Sequence, residues 1–222
     1  MPDVKPRVEV AIVDDHHLAL ECLARWINDT TSTLHVALGV TTWSDLITHP
    51  DYPFDVVLLD VFLNDDIPVK MKIGSLLASG CQVVIISTLI EPQLVQRAIS
   101  AGALGYLSKD DPPGHIEDVV TSAAKGRLFL TPALIRNLGT APAEEVPDVT
   151  PREQQVAALY SAGHGMTIAE VARELGISSH TAKTHLKNLK LKYAERGIPL
   201  HTRLELYAQL VHDYWILTPP RP

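Results

Sequence analysis

The stretch Asp55–Phe62, DVVLLDVF, decides the fold. Four consecutive apolar residues, two of them β-branched, run into Asp60. So short a run, bounded by acids, reads as a strand buried on both faces. Working outward, three other runs have the same form: AIVDDHH (11–17), VVIISTL (83–89) and GYLSKDD (105–111). They lead into Asp14 and Asp15, into Ser87, and into Lys109. The expected strands are Val8–Val13, His35–Val40, Val56–Asp60, Val83–Ser87 and Gly105–Leu107. Segments with apolar residues three and four apart, such as Leu18–Asn28 and Leu94–Ala101, alternate with them. Five βα repeats imply an α/β fold built on a five-stranded parallel, doubly wound sheet. The carboxyl ends of such strands converge on one crevice. Asp14, Asp15, Asp60, Ser87 and Lys109 are therefore expected to meet there.

Carboxylates forced together in this way call for a cation, and a few protein oxygens supplemented by water suit Mg2+. Asp60 stands alone at its strand end, free to act as nucleophile or acceptor. Lys109 and the Ser87 hydroxyl are placed to hold phosphoryl oxygens. No glycine-rich loop follows the first strand to cradle a nucleotide or flavin phosphate. A lone strand-end aspartate is usually a turn or cap acid; Asp60 is read differently because of its company. His16 and His17 are read as a solvated loop, since adjacent residues rarely face the same way, and not as zinc ligands. Asp65, Asp66, Asp110 and Asp111 are read as solvated loop acids or helix caps.

Residues 139–149, GTAPAEEVPDV, have the composition of a linker. The preceding 128–138 reads equally as a helix or an ordered connector. TPREQQVAALYSAG (150–163) reads as a capped helix, with Thr150 at the cap, Pro151 at the first position, Glu153 in a capping box and Gly163 as the stop. MTIAEVARELGISSHTAKTHLKNLKLKYA (166–194) gives two helices separated by Gly176-Ile177-Ser178, a helix-turn-helix pattern. On the second of these, Ala182, Leu186 and Leu189 form a core face. Lys183, Lys187 and Lys190 share another face, suited to DNA phosphates. Ser179, His180, Thr181 and Thr184 offer short polar groups to base edges. His180 and His185 lack the i, i+4 spacing of a helical metal pair. A last amphipathic helix is expected over Leu204–Trp215.

Charge divides the chain at the same place. Residues 1–149 hold 10 basic and 20 acidic residues, whereas 150–222 hold 9 and 6, so the two parts suit different partners. Apolar runs fall short of a membrane span, and the N-terminus lacks a signal-peptide core. Cys22 and Cys81 form no CxxC motif and read as buried, reduced thiols. The expectation is a cytoplasmic protein without membrane contact.

Residues 8–127 resemble the receiver domain of two-component response regulators, a flavodoxin-like fold. The resemblance implies that Asp14 and Asp15 bind Mg2+ together with Asp60 and the main-chain carbonyl of Phe62. It implies that Asp60 accepts phosphate from a sensor histidine kinase, that Ser87 and Lys109 attend the phosphoryl group, and that Tyr106 is the switch aromatic. The loop after Asp60 departs from the pattern: its proline comes late, at Pro68, its glycine is out of place, and Thr88 follows Ser87 where a small residue is common. Residues 150–208 resemble the LuxR-type helix-turn-helix of the NarL/FixJ class, through TPRE (150–153), IAEVARELGIS (168–178) and TAKTHLKNLKLKY (181–193). That resemblance places Thr181, Lys183, His185 and Lys187 at DNA or its backbone, with Ala182 where valine is usual. Leu204, Leu206, Tyr207 and Leu210 either pair in a dimer or pack inside the domain.

The expected organisation is a receiver over 7–127, a linker over 128–149 and a small all-α DNA-binding domain over 150–217. The expected function is a transcriptional regulator that binds double-stranded DNA as a homodimer, and not an enzyme. Three rivals stay open. The receiver acts without phosphorylation; or Asp60 is the nucleophile of a phosphohydrolase, although Phe62 stands where a general acid belongs; or the C-terminal domain binds protein instead of DNA.

Overall fold

The computed structural model describes residues 7–65, 67–140, 147–161, 166–213 and 215. Its strands are β1 (Val8–Val13), β2 (Leu34–Val40), β3 (Val56–Asp60), β4 (Gln82–Ser87), β5 (Gly105–Ser108) and β6 (Phe129–Leu130). They form one sheet in the order β2-β1-β3-β4-β5-β6, with every neighbouring pair parallel. The five expected strands are present, and the two-residue β6 extends the sheet beyond them.

The helices of this part are α1 (His17–Thr30), α2 (Trp43–Ile47), α3 (Val69–Ala78), α4 (Pro92–Ser100), α5 (Gly114–Ala124) and α6 (Pro132–Thr140), of which α1 to α5 pack on the sheet. All five residues of β3 are buried. Val10, Ile12, Val56, Leu58, Val84 and Ile86 pack with Leu20 and Ile27 of α1 and with Ile116, Val119 and Val120 of α5. Their strand neighbours Ala11, Val13, Val57, Leu59, Val83 and Ile85 are fully buried too, and strand alternation turns them to the opposite face. The sheet is thus covered on both sides, which is why its strands read as unbroken apolar runs. Gly105 is required by this packing: a Cβ there would be driven into Val119 Cγ1.

The stretch left open at 128–138 forms β6 and most of α6. Cys81 is buried as expected, but Cys22 is exposed, because its position on α1 turns away from the sheet. Residues 141–146 of the linker stretch lie outside the described residues, as does Asp66.

The chain divides into two units at residues 141–142. The second contains α7 (Pro151–Ser161), α8 (Ile168–Glu174), α9 (Ser179–Ala194) and α10 (Arg203–His212). The capping box at α7 is present: Glu153 N–H donates to Thr150 Oγ1 at 3.3 Å, and Thr150 N–H donates to Glu153 Oε2 at 2.9 Å. The expected stop Gly163, and Tyr214, Ile216 and Leu217 at the chain end, lie outside the described residues. Val156, Val171, Ala172 and Ala182 form one small core, with Leu186 packed against it. Val149, Ala157, Leu189, Tyr193, Leu206 and Leu210 form another. Of the four candidate dimer residues, Leu206 and Leu210 are spent on this core, Tyr207 is half-buried, and Leu204 is 75% exposed.

Candidate functional site

Strand order brings the acids together. The sequence of strands reverses between β1 and β3, and ligands of open α/β sheets bind at such a switch point. Val13 is paired with Leu59, so the next residues, Asp14 and Asp60, emerge side by side. Asp60 is opposite Ile86 and Ser87 opposite Ser108, which sets Ser87 and Lys109 along the same edge.

Asp14 and Asp60 are each 1% exposed. Lys109 Nζ bridges them, 2.7 Å from Asp14 Oδ2 and 2.9 Å from Asp60 Oδ2. Burial pushes the Asp60 carboxyl above the usual aspartate range, and the Lys109 hydrogen bond and charge offset this only in part. For Lys109 burial works against the charge, but the hydrogen bonds and charges of the two aspartates outweigh it and raise its pKa. Phe62 N–H donates to Asp60 Oδ1 at 3.2 Å, folding the loop back over the acceptor.

Ser87 and Tyr106 are fully buried. Leu89 N–H donates to Ser87 Oγ at 3.1 Å, and Tyr106 OH donates to Leu89 O at 2.7 Å. The main chain of Leu89 therefore links the strand-end hydroxyl to the aromatic. A main-chain bridge of this kind carries no side-chain signature, so sequence reading passed over it.

Two loop residues read as solvated have partners. Asp65 is exposed, as read, but its Oδ1 lies 2.6 Å from Lys72 Nζ. Lys72 falls on the buried face of α3 with Ile73 and Leu76, and an ammonium that is 2% exposed needs a counter-charge. Burial lowers its pKa, opposed by Asp65 and by the charge of Asp60. His16 is exposed, as read, and its ring lies against the acids. Its Nδ1 lies 3.2 Å from Asp14 Oδ1 and 2.8 Å from Asp15 Oδ1. Asp111 is a turn acid and not a helix cap: its Oδ2 accepts from Ser108 N–H at 2.9 Å, while the N-cap of α5 is Pro113.

The chemistry of the cluster fits a divalent cation. Ligand atoms of Asp14, Asp15, His16 and Asp60 all lie within 4.8 Å of one another. Asp15 Oδ1 is buried without a hydrogen-bond partner among the described residues.

In the second unit α8 leads to α9 through Gly176, whose φ of +63° makes a turn that glycine adopts without strain. Ser178 caps α9 by accepting from Thr181 N–H at 3.0 Å. Ser179, His180, Lys183, Thr184 and Lys187 are exposed along α9, while Thr181, His185 and Lys190 are half-buried. The Thr181 hydroxyl is bonded to Ser178 Oγ at 2.8 Å, and the Thr184 hydroxyl donates to His180 O at 3.0 Å. Lys190 Nζ donates to His201 O at 3.2 Å. Lys192 is drawn inward, 2.7 Å from the buried Glu153. Burial alone would raise the pKa of Glu153; Lys192 and the Thr150 contacts reverse that and hold it below the ordinary glutamate range.

Residues 10–121 match the response regulator receiver domain, and residues 148–196 match the bacterial regulatory proteins of the luxR family. The chain belongs to the response regulators. This regulator is 30% identical over 182 residues to the transcriptional regulatory protein UhpA of Salmonella typhimurium, covering 82% of this chain and 89% of UhpA. It is similar to the crystal structure of the response regulator ChrA of a heme-sensing two-component system, at 25% identity and a TM-score of 0.52, covering 95% and 99% of the two chains. It shares its fold, at 18% identity and a TM-score of 0.57, with RcsB, solved as two dimers bound to two parallel DNAs, covering 92% of this chain and 98% of RcsB. The regulator is thus a two-component response regulator with a receiver and a LuxR-type DNA-binding domain, of a family of transcriptional regulators and not of enzymes. Among the described residues no helix is long and apolar enough to cross a membrane.

Proposed function

We propose that this regulator is switched by phosphorylation of Asp60 by a sensor histidine kinase, and that the switch controls binding of a homodimer to double-stranded DNA in the cytoplasm. The receiver is assigned to 7–127, the linker to 128–149 with β6 and α6 as its ordered start, and the DNA-binding domain to 150–217. One observation carries the reading: a buried aspartate at the end of the central strand, bridged by Lys109 to a second aspartate.

An Asp60 oxygen attacks the phosphorus of a phosphohistidine. A P–O bond forms, the P–N bond breaks, and the leaving imidazole nitrogen takes up a proton. Lys109 Nζ, already 2.9 Å from Asp60 Oδ2, follows the new charge onto a phosphoryl oxygen. The Ser87 hydroxyl donates to another and loosens its hold on Leu89 N–H. Leu89 O holds the Tyr106 hydroxyl, so the aromatic is re-seated with it. Asp14, Asp15 and Asp60, with the Phe62 carbonyl, would hold Mg2+, which when bound neutralises the charge gathering on the phosphoryl oxygens.

On DNA, Lys183 and Lys187 contact phosphates, while Ser179, His180, Thr181, Thr184 and His185 face the base edges or adjoining backbone. Lys190 takes a lesser part, since it already serves the His201 carbonyl.

The test is sizing and DNA binding with and without beryllofluoride and Mg2+. Dimer formation and tighter DNA binding that vanish in Asp60→Ala support the reading. A chain that dimerises and binds DNA equally well as Asp60→Ala supports a phosphorylation-independent receiver instead.

A further inference from the structure

Lys72 lies where α3 packs apolar side chains. It shares the buried face of that helix with Ile73 and Leu76 and is 2% exposed. Replacing a buried ion pair by apolar residues of similar volume is often neutral or stabilising, so stability alone gives no reason for an ammonium here. Its partner does. Lys72 Nζ donates to Asp65 Oδ1 at 2.6 Å, and Asp65 stands in the loop that leaves Asp60. That loop is folded back on the acceptor. Phe62 N–H donates to Asp60 Oδ1 at 3.2 Å, Val61 and Leu63 are buried, and Asp65 N–H donates to Leu63 O at 2.7 Å. The Lys72–Asp65 pair thus ties the far end of the loop to α3. The negative charge of Asp60 also reaches Lys72 and favours its ammonium form. Attraction between charges is mutual, so the ammonium favours negative charge at Asp60.

We propose that Lys72 is a positioning residue of the phosphorylation site: a second cation besides Lys109, it ties down the loop over Asp60 and favours the negative charge that a phosphoryl group brings. Lys109 touches Asp14 and Asp60 directly. Lys72 is paired with Asp65 and acts on the acceptor through the loop and through space. A phosphoryl group adds negative charge beside Asp60, whereas a divalent cation adds positive charge. A fixed ammonium nearby helps the first and opposes the second. The proposal rests on the reading of Asp60 as the acceptor and adds a residue that sets the balance between cation and phosphoryl group there.

The test uses the full chain. Mg2+ affinity is measured by calorimetry, and beryllofluoride affinity at saturating Mg2+. Lys72→Met keeps an unbranched side chain and removes the charge, and the exposed Asp65 is left to water. The expected shifts are opposite in sign: Mg2+ binds at least about twofold tighter and beryllofluoride at least about twofold weaker, the lower end of coupling between neighbouring groups. A loop merely loosened by the substitution would weaken both. Lys72→Arg keeps the charge and should leave the ratio of the two affinities near native. Any other pattern in Lys72→Met, such as both affinities falling together or neither changing, overturns the proposal and leaves the Asp60 reading standing. A ratio displaced as far in Lys72→Arg as in Lys72→Met overturns it too. Lys72→Leu carries the same comparison if the methionine variant folds poorly. A native chain that takes up no beryllofluoride, or whose uptake survives Asp60→Ala, overturns the acceptor reading and the proposal with it.

Discussion

At the residue scale the regulator's chemistry follows from where Asp60 is kept. A carboxyl that is 1% exposed is costly to ionise, and Lys109 offsets only part of that cost. In the proposed reaction the nucleophile is the ionised form. Phosphorylation by a small phosphodonor should therefore fall away on acidification at a pH above the ordinary aspartate range, as read by initial rates across pH. A rate that declines only within the ordinary range would contradict it. Linkage works in the same direction: an acid with a raised folded pKa contributes stability while protonated, and loses it as pH rises through that value. Asp60→Asn removes the ionisation cost and should melt no lower than the native chain near neutral pH. The meeting of the acids, Ser87 and Lys109 was legible in the sequence because each ends a strand whose direction the topology fixes, whereas Tyr106 was singled out only by the resemblance to receiver domains. His16 and the Lys72–Asp65 pair were not legible, since both depend on how a loop backbone folds. Leu89 was hidden because its role belongs to main-chain atoms.

At the scale of elements, the strands could be read because burial on both faces demands unbroken apolar runs, and β3 satisfies that at every position. β6 escaped because two residues are too few to show any period. Packing of β5 beneath α5 depends on a missing side chain. Gly105→Ala pushes a methyl into Val119 and should destabilise the receiver by about 1–3 kcal/mol, measured by denaturant unfolding. The helix-turn-helix was legible from its glycine turn and from the three apolar positions of α9, all of which pack inward. Its basic face was legible only in outline: Lys183 and Lys187 are exposed, whereas Lys190 is engaged by His201 O. Lys183→Ala and Lys187→Ala should each weaken DNA binding across sequences and lower the salt slope by about one. Lys190→Ala should change that slope less. Equal effects at all three positions would contradict this division.

At the scale of the whole molecule the charge asymmetry marked two partners before any element was placed, and the boundary at 141–142 falls within the stretch read as linker. An acidic receiver whose clustered carboxylates suit a cation is joined to a domain whose exposed lysines suit a polyanion. What the sequence could not convey is the state of the switch, because the seat of Tyr106 is a matter of conformation. The central claim is that Asp60 is the point at which a signal enters. The most direct measurement is the intact mass of the native chain and of Asp60→Asn after incubation with Mg2+ and acetyl phosphate. The account predicts one phosphoryl adduct on the native chain and none on the variant. An adduct that persists in Asp60→Asn, or a native chain that gains none, would contradict it.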